Sequence, residues 1–446
     1  MFCGPFVLKF RLFEMKNFLA KENLNQKTAL LAFFWFSLVG FAFSLISAIV
    51  IALLHIETFG TMFTGENLYG DFLETISYVY SANPYTGATA GVKTIYLPFS
   101  FFILAPFAWM CHPVIERYFA GEVTIAYVHH EPRFLLTYFL FFAITITLIL
   151  LLLWRMSGFH GKDLLFFLVA CALDGSVLYA FGRANVILLA FLFVLVFFWL
   201  KDSPNKLLRE LSYLALGCAS AIKVYPAMFA LIFIRERRFL DLLRTALYSA
   251  VLVFVPFLFV QGGFSNIPVF MENLAVFSRE SRGLHINNVS MDAFIARTVF
   301  LFEKMSGANL SVLYKTLSYL FTGAVVVAVT VLSFFKKDEK NELAYFLLLF
   351  GGYVLFQTVS YMYIYIFFLV ARILFLKRFD SLPLWQKRSY LFCLLVMSFS
   401  YLFFWGGGIA QQIAQMALFA FVFYDMVQSL RNKKTQDEAT PKEEAA

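Results

Sequence analysis

The sequence predicts an all-α, polytopic transmembrane fold, and three observations carry that prediction. First, 61% of the 446 residues are apolar and only 14% are charged, with a mean hydropathy of +0.76, a balance foreign to soluble domains. Second, apolar runs of roughly 17–25 residues recur along nearly the whole chain, enough for about 12 membrane helices including short broken ones. Backbone groups find no water inside a bilayer, so each run must satisfy its own as a helix; the ten-residue alternation of a membrane barrel is absent. Third, Lys and Arg sit in short clusters between the apolar runs. Despite a net charge of +8, that pattern marks cytoplasmic loops rather than a nucleic-acid-binding face.

The elements follow in order. Residues 1–27 mix Lys9, Arg11, Lys16, Lys21 and Lys27 with Phe and Leu and offer no cleavage site, so they read as a cytoplasmic basic arm. The transmembrane domain covers 28–430. Its first span, 28–55, leads to a first external loop, 56–133, with surface-lying helices. Within that loop the apolar run 95–110 carries Pro98 and Pro106 and is barely long enough to cross. Laid half-buried along the surface, it leaves Arg155, Lys162, Lys201, Lys206 and Arg209 cytoplasmic, at the expense of Arg117, Arg133 and Arg183 outside.

Spans then fall at 134–154, 163–180 and 184–200, in a short pair at 211–223 and 225–234, and at 240–260. The short pair is required because 201–210 and the cluster Arg235, Arg237, Arg238 both belong inside. The chain between them must go up and back through Lys223-Val224-Tyr225-Pro226, as broken helices do where they line a cavity. A second large external loop, 261–310, precedes spans near 311–335, 342–357, 361–376, 389–404 and 408–428. Residues 431–446 form a short charged tail, expected to be disordered and cytoplasmic. Cys3, Cys111, Cys171, Cys218 and Cys393 show no paired or metal-type spacing and read as small packing residues.

This sidedness brings polar residues from distant segments to the outer face: Asp71, Tyr85 and Tyr96 from the first loop, Arg183 and Asn185, Lys223 and Tyr225, and Asn288 and Ser290. Lys223 lies inside an apolar stretch, where a charge is costly and usually functional. A carboxylate facing two cations among Tyr and Asn suits transfer between a hydroxyl and a lipid-linked phosphosugar. The acid takes the hydroxyl proton, and the cations hold the phosphate as charge develops on it. Other readings stand beside this one. Asp71-x-x-Glu74 is also a helix capping box, Arg183 can snorkel at a helix end, and Tyr361, Tyr363 and Tyr365 fit an interfacial aromatic belt. Asp174, also inside a span, is a candidate partner for Lys223 or Arg183.

Over residues 65–370 the chain resembles the polyprenol-phosphate-mannose-dependent α-mannosyltransferases of the glycosyltransferase-C superfamily. The shared features are Asp71-Phe72, Asn83-Pro84-Tyr85, Tyr96-Leu97-Pro98, Gly182-Arg183-Ala184-Asn185, Ile222-Lys223-Val224-Tyr225-Pro226 with the Arg cluster behind it, and Asn287-Asn288-Val289-Ser290. The resemblance implies inverting transfer on the extracytoplasmic face, with Asp71 as general base. It also implies a polyprenyl-phosphate sugar donor, a glycan or glycolipid acceptor, and a setting in a bacterial cytoplasmic membrane. Leu97 stands where the family has Pro, Arg183 where it has Gln, and the stretch at Ser360-Tyr361 lacks its Trp and His; these departures bear on donor and acceptor rather than on reaction type.

No cofactor is expected, and no carboxylate or His cluster calls for a divalent metal. Two other classes fit less well. A transporter or flippase of lipid-linked sugars should show inverted repeats, which the chain lacks. A polysaccharide polymerase or ligase would organise its site on Arg279, Arg282 and His285 of the second loop.

Overall fold

A computed structural model describes residues 24–53, 69–86, 93–120, 122–128, 130–280, 288–335, 341–357, 359–399 and 408–439. The basic arm up to residue 23, Cys3, Arg282, His285 and Asn287 lie outside the described residues. Among the described residues the fold is helical throughout, with a single isolated extended pairing between Asn288 and Tyr361.

A long helix, α1 (Gln26–Leu53), is followed by the first loop, which holds α2 (Gly70–Ser77), α3 (Pro98–Phe102), α4 (Ala105–Met110), α5 (His112–Phe119) and α6 (Ile125–Val128). Proline occupies the first or second position of α3, α4 and α5. Its missing N–H is harmless there, but its ring prevents continuation from the preceding turn. The apolar run at 95–110 therefore divides into pieces of five and six residues rather than one crossing helix.

Next come α7 (Pro132–Ser157), α8 (Gly161–Ala172), α9 (Gly175–Arg183), α10 (Ile187–Leu200) and α11 (Lys206–Ile222). A 3-10 turn over Tyr225–Ala230 leads into α12 (Leu231–Arg235), α13 (Phe239–Phe254), α14 (Asn266–Glu280), α15 (Met291–Ser306), α16 (Ser311–Ser333) and α17 (Glu342–Leu355). A second 3-10 turn, Met362–Phe367, opens α18 (Phe368–Arg378), and α19 (Leu384–Ser398) and α20 (Ile409–Ala439) follow.

Among the described residues, four helical segments are long and apolar enough to cross a membrane: Gln26–Val50, Pro132–Ser157, Phe239–Phe259 and Ser311–Ser333. The pair α8 and α9, bent by 45°, makes a fifth if it is one span. The expected count of about 12 is not reached by length, because other apolar runs are interrupted at polar or Pro-containing breaks. Ile187–Leu200, Tyr225–Arg235 and Glu342–Leu355 are such shorter apolar helices.

Two expectations are corrected. The tail from 431 is helical as far as Ala439, since Lys, Gln, Glu and Ala all favour helix and no proline intervenes before Pro441. The apolar face of α2 does not lie against lipid: Phe72, Leu73 and Ile76 are fully buried against protein. Phe72 stacks on Phe141 of α7 at 5.0 Å and touches Phe134 and Tyr138. A helix laid along the membrane surface would rest its apolar face on lipid; the apolar face of α2 is instead a packing face.

The centre of the fold is α17, buried on every side from Leu347 to Leu355, as a helix apolar all round must be. The long helices instead leave apolar side chains uncovered, with Leu136 of α7 66% exposed and Leu247 of α13 62% exposed, which suits contact with lipid. Gly352 lets α17 approach α16: a Cβ there would stand 2.4 Å from Cγ2 of Val329, far inside van der Waals contact. Gly352→Ala should therefore lower the melting temperature in detergent by the equivalent of about 1–3 kcal/mol, although alanine favours helix. In a Val329→Ala background the same change should cost nothing further; equal losses in both backgrounds would show that the contact is not the cause.

Candidate active site

Two elements distant in sequence, α2 and the end of α9, dock on each other to build the site. The C-terminal carbonyls of α9 have no partners within their own helix and must find them elsewhere. The hydroxyl of Tyr138 donates to the carbonyl of Phe181, and the N–H of Tyr69 donates to that of Gly182 at 3.0 Å. Ala184 adopts a left-handed conformation (φ 53°). The Asn185 N–H then reaches Ala180 O at 2.9 Å, and the Ala184 N–H reaches Phe181 O at 2.9 Å, the paired bonds of a Schellman C-cap. That reversal turns Asn185 back over the helix end beside Arg183. Tyr69, itself left-handed (φ 57°), starts α2 at this junction, its ring 4.6 Å from that of Tyr138.

Asp71, the second residue of α2, is consequently aimed at α9. Its Oδ1 accepts a hydrogen bond from Nη2 of Arg183 at 2.7 Å, and its Oδ2 accepts one from Nδ2 of Asn185 at 2.6 Å. The Asp71 side chain is 10% exposed and that of Arg183 30%, so the pair is sheltered yet open on one side. The capping-box alternative does not describe this geometry, because the cap position of α2 is Tyr69 and no side chain caps the helix.

Lys223 ends α11, where the backbone turns extended, and its Nζ lies 4.4 Å from the centre of the Tyr96 ring. Lys223 is in Coulombic range of both Asp71 and Arg183. Asp71, Arg183, Asn185, Lys223 and Tyr96 thus come together from three separate parts of the chain. Tyr225 joins them at one remove: its ring packs 5.0 Å from that of Tyr353, and it lies in electrostatic range of Tyr363.

The remaining candidates back the site. Tyr85 is fully buried, stacks on Phe257, and donates from its hydroxyl to the Tyr96 carbonyl at 2.9 Å, which fixes the strip of chain carrying Tyr96. Asn288 is fully buried, and its Oδ1 accepts from the N–H groups of Ser290 and Ser360. Ser290 caps α15 through Ala293 N–H. Asn288, through its bond from Ser360, braces the turn that leads to Tyr361 and Tyr363.

Sequence reasoning passed over two tyrosines. Tyr363, read as belt, lies in electrostatic range of Asp71, Tyr225 and Tyr96, and its ring stacks on that of Tyr179 at 5.7 Å. Tyr179 had a signal: it precedes Arg183 by four residues and so shares its helix face. Tyr363 had none, because only the 3-10 turn at 362–367 aims it inward. Asp174 pairs with neither Lys223 nor Arg183; its partner is Arg372, at 2.8 Å. Among the described residues, no group of three His, Cys, Asp or Glu side chains is placed to hold a metal.

Glu74, one turn beyond Asp71, completes the polar face of α2. Burial, and then the charge of Asp71, push its carboxyl up to about 7 against the pull of Arg183. The folded chain keeps this proton between the usual 4.5 and about 7, where the unfolded chain has lost it. Glu74 thus costs no stability below pH 4.5, costs progressively more as pH rises through that window, and costs most above 7. Glu74→Gln should melt with wild type below pH 4.5 and above it at pH 7.5. Melting curves across that range that run parallel for the two proteins would contradict this electrostatic picture.

Comparison with known families agrees with this picture at the level of enzyme class. The profile of glycosyltransferase family 87 matches residues 94–360, more than half of the chain. Arg183, Asn185, Lys223 and Tyr96 lie inside the matched interval, whereas Asp71 and Tyr85 precede it. No curated protein and no solved structure matches the chain. With this family match spanning most of the site, and helices long and apolar enough to cross a bilayer, the chain belongs to glycosyltransferase family 87 and is a membrane glycosyltransferase.

Proposed function

We propose that this enzyme transfers a hexose, mannose, from a polyprenyl-phosphate donor to an acceptor hydroxyl on a glycan or glycolipid, with inversion. The observation that carries the proposal is the meeting of one carboxylate with two cations, Asp71 with Arg183 and Lys223, at the ends of broken helices. In the resting protein each Asp71 oxygen already accepts one hydrogen bond, from Arg183 or Asn185. A lipid phosphate entering beside Arg183 and Lys223 competes for the guanidinium and loosens its hold on Asp71. Asp71 then accepts the acceptor hydroxyl proton, and the acceptor oxygen attacks the anomeric carbon from the face opposite the phosphate. The bond from that carbon to the phosphate oxygen breaks, and the electron pair leaves with polyprenyl phosphate, where Arg183 and Lys223 offset the charge. Asn185 keeps the carboxylate oriented throughout, and the rings of Tyr96, Tyr225 and Tyr363 offer faces and hydroxyls to a sugar.

The positions of the Lys and Arg clusters support an outer-face site in about 12 passes through a cytoplasmic membrane, with the shorter apolar helices as the remaining passes. The test is transfer by purified protein in lipid, using a panel of radiolabelled polyprenyl-phosphate sugars. Asp71→Asn should keep the wild-type melting temperature and lose about 100- to 10,000-fold in turnover. Turnover within a few-fold of wild type would leave Asp71 as no more than a partner for Arg183.

A further inference from the structure

The bend between α8 and α9 holds a second buried carboxylate that the transfer chemistry does not use. Asp174 caps α9, its Oδ1 accepting from the N–H of Ser176 at 2.9 Å and from the Ser176 hydroxyl. Its Oδ2 accepts from Nη2 of Arg372 on α18 at 2.8 Å. The same nitrogen donates to the hydroxyl of Ser398 on α19, and the guanidinium lies 4.6 Å from the centre of the Phe33 ring on α1. The Arg372 and Asp174 side chains are 3% and 1% exposed. Nε and Nη1 of Arg372 have no hydrogen-bond partner among the described residues.

Stability explains this arrangement poorly. Asparagine or serine would cap α9 as well as aspartate does. A buried ion pair is often no more stable than apolar side chains of similar volume, and this one leaves two donors unsatisfied among the described residues. What the pair does achieve is mechanical: it ties the base of α9 to α1, α18 and α19 at once. The other end of that nine-residue helix, about 13 Å away at 1.5 Å per residue, presents Arg183 and then Asn185, the two donors on Asp71. Charged contacts have sharp geometric demands that apolar packing lacks.

We infer that the Asp174–Arg372 pair is a positioning element of the transferase, setting the height and tilt of α9 so that Arg183 and Asn185 meet Asp71. Neither residue touches the reacting atoms. The inference rests on the reading of Asp71 and Arg183 given above, and its test separates the two.

Full-length wild type, Asp174→Asn/Arg372→Met, Arg372→Lys and Asp71→Asn are compared in lipid by melting temperature, by turnover on the polyprenyl-phosphate sugar panel, and by hydrogen exchange. The double variant keeps a capping side chain and removes both charges. It should melt with wild type, turn over about 10- to 100-fold more slowly at a displaced site, and exchange at least tenfold faster over 69–77, where Tyr69 N–H is held by Gly182, while α17 exchanges as before. Arg372→Lys should fall between the double variant and wild type. Turnover or 69–77 exchange within twofold of wild type overturns the inference, as does faster exchange in α17 to the same degree. Should the double variant not fold, Arg372→Lys is judged by the same limits. If Asp71→Asn stays active, or wild type uses none of the donors, the catalytic reading fails and the exchange rates alone decide the positioning role.

Discussion

The docking of α2 on the C-terminal end of α9, which brings Asp71 to Arg183, is the constraint on which the candidate site depends. It joins a short loop helix to the end of a half-length helix more than a hundred residues later, and neither element is held in place by its own sequence. An eight-residue helix such as α2 is marginal on its own, and α9 leaves carbonyls unsatisfied at its end. Docking satisfies both: aromatic burial of Phe72 against α7 supplies the apolar part, and the Tyr69 and Tyr138 donors complete the α9 carbonyls. Asp71 and Arg183 meet because the backbone beneath them has already met.

Broken helices are the means by which polar groups are kept at such a place. A continuous span would have to bury Lys223 on a helix face in an apolar stretch. Ending α11 at Ile222 and resuming with a 3-10 turn through Pro226 instead lets the ammonium reach across to the Tyr96 ring. The left-handed Ala184 does the same for Asn185, and the turn braced by Asn288 and Ser360 does it for Tyr363. At the end of α9 the exposed carbonyls are claimed by Tyr69, Tyr138 and the chain's own reversal, and at the turn before Tyr361 the Ser360 N–H is claimed by Asn288. Lipid-facing helices and a polar site coexist on that condition.

What could be read in advance depended on whether a residue's role was local. Asp71, Arg183, Asn185 and Lys223 could be singled out because a charged or amide side chain bordering an apolar run is conspicuous wherever the chain goes. Tyr363 looked like its neighbours Tyr361 and Tyr365, and only a tight turn distinguishes it. Asn288 and Ser290 were conspicuous for the same reason as Lys223, yet Ser290 caps α15 and Asn288 accepts from the backbone of Ser290 and of the distant Ser360. Arg372 was as conspicuous as Lys223, a lone charge between Phe368 and Leu376, but no spacing rule connects it to Asp174, which lies 198 residues away.

By itself the sequence determined the helical, membrane-spanning character of the chain, the breaks at Pro98, Pro106 and Pro226, and the small set of polar residues that form the candidate site. Those properties follow from hydropathy, from proline's missing N–H and from the cost of charge in hydrocarbon, all of which act residue by residue. Tertiary structure decided which of those polar residues face one another: that Asp71 meets Arg183 rather than capping its own helix, that Asp174 meets Arg372, and that α2 spends its apolar face on protein instead of lipid. Such pairings are settled by how helices far apart in the chain pack. That geometry is cooperative and leaves no periodic trace in any one segment.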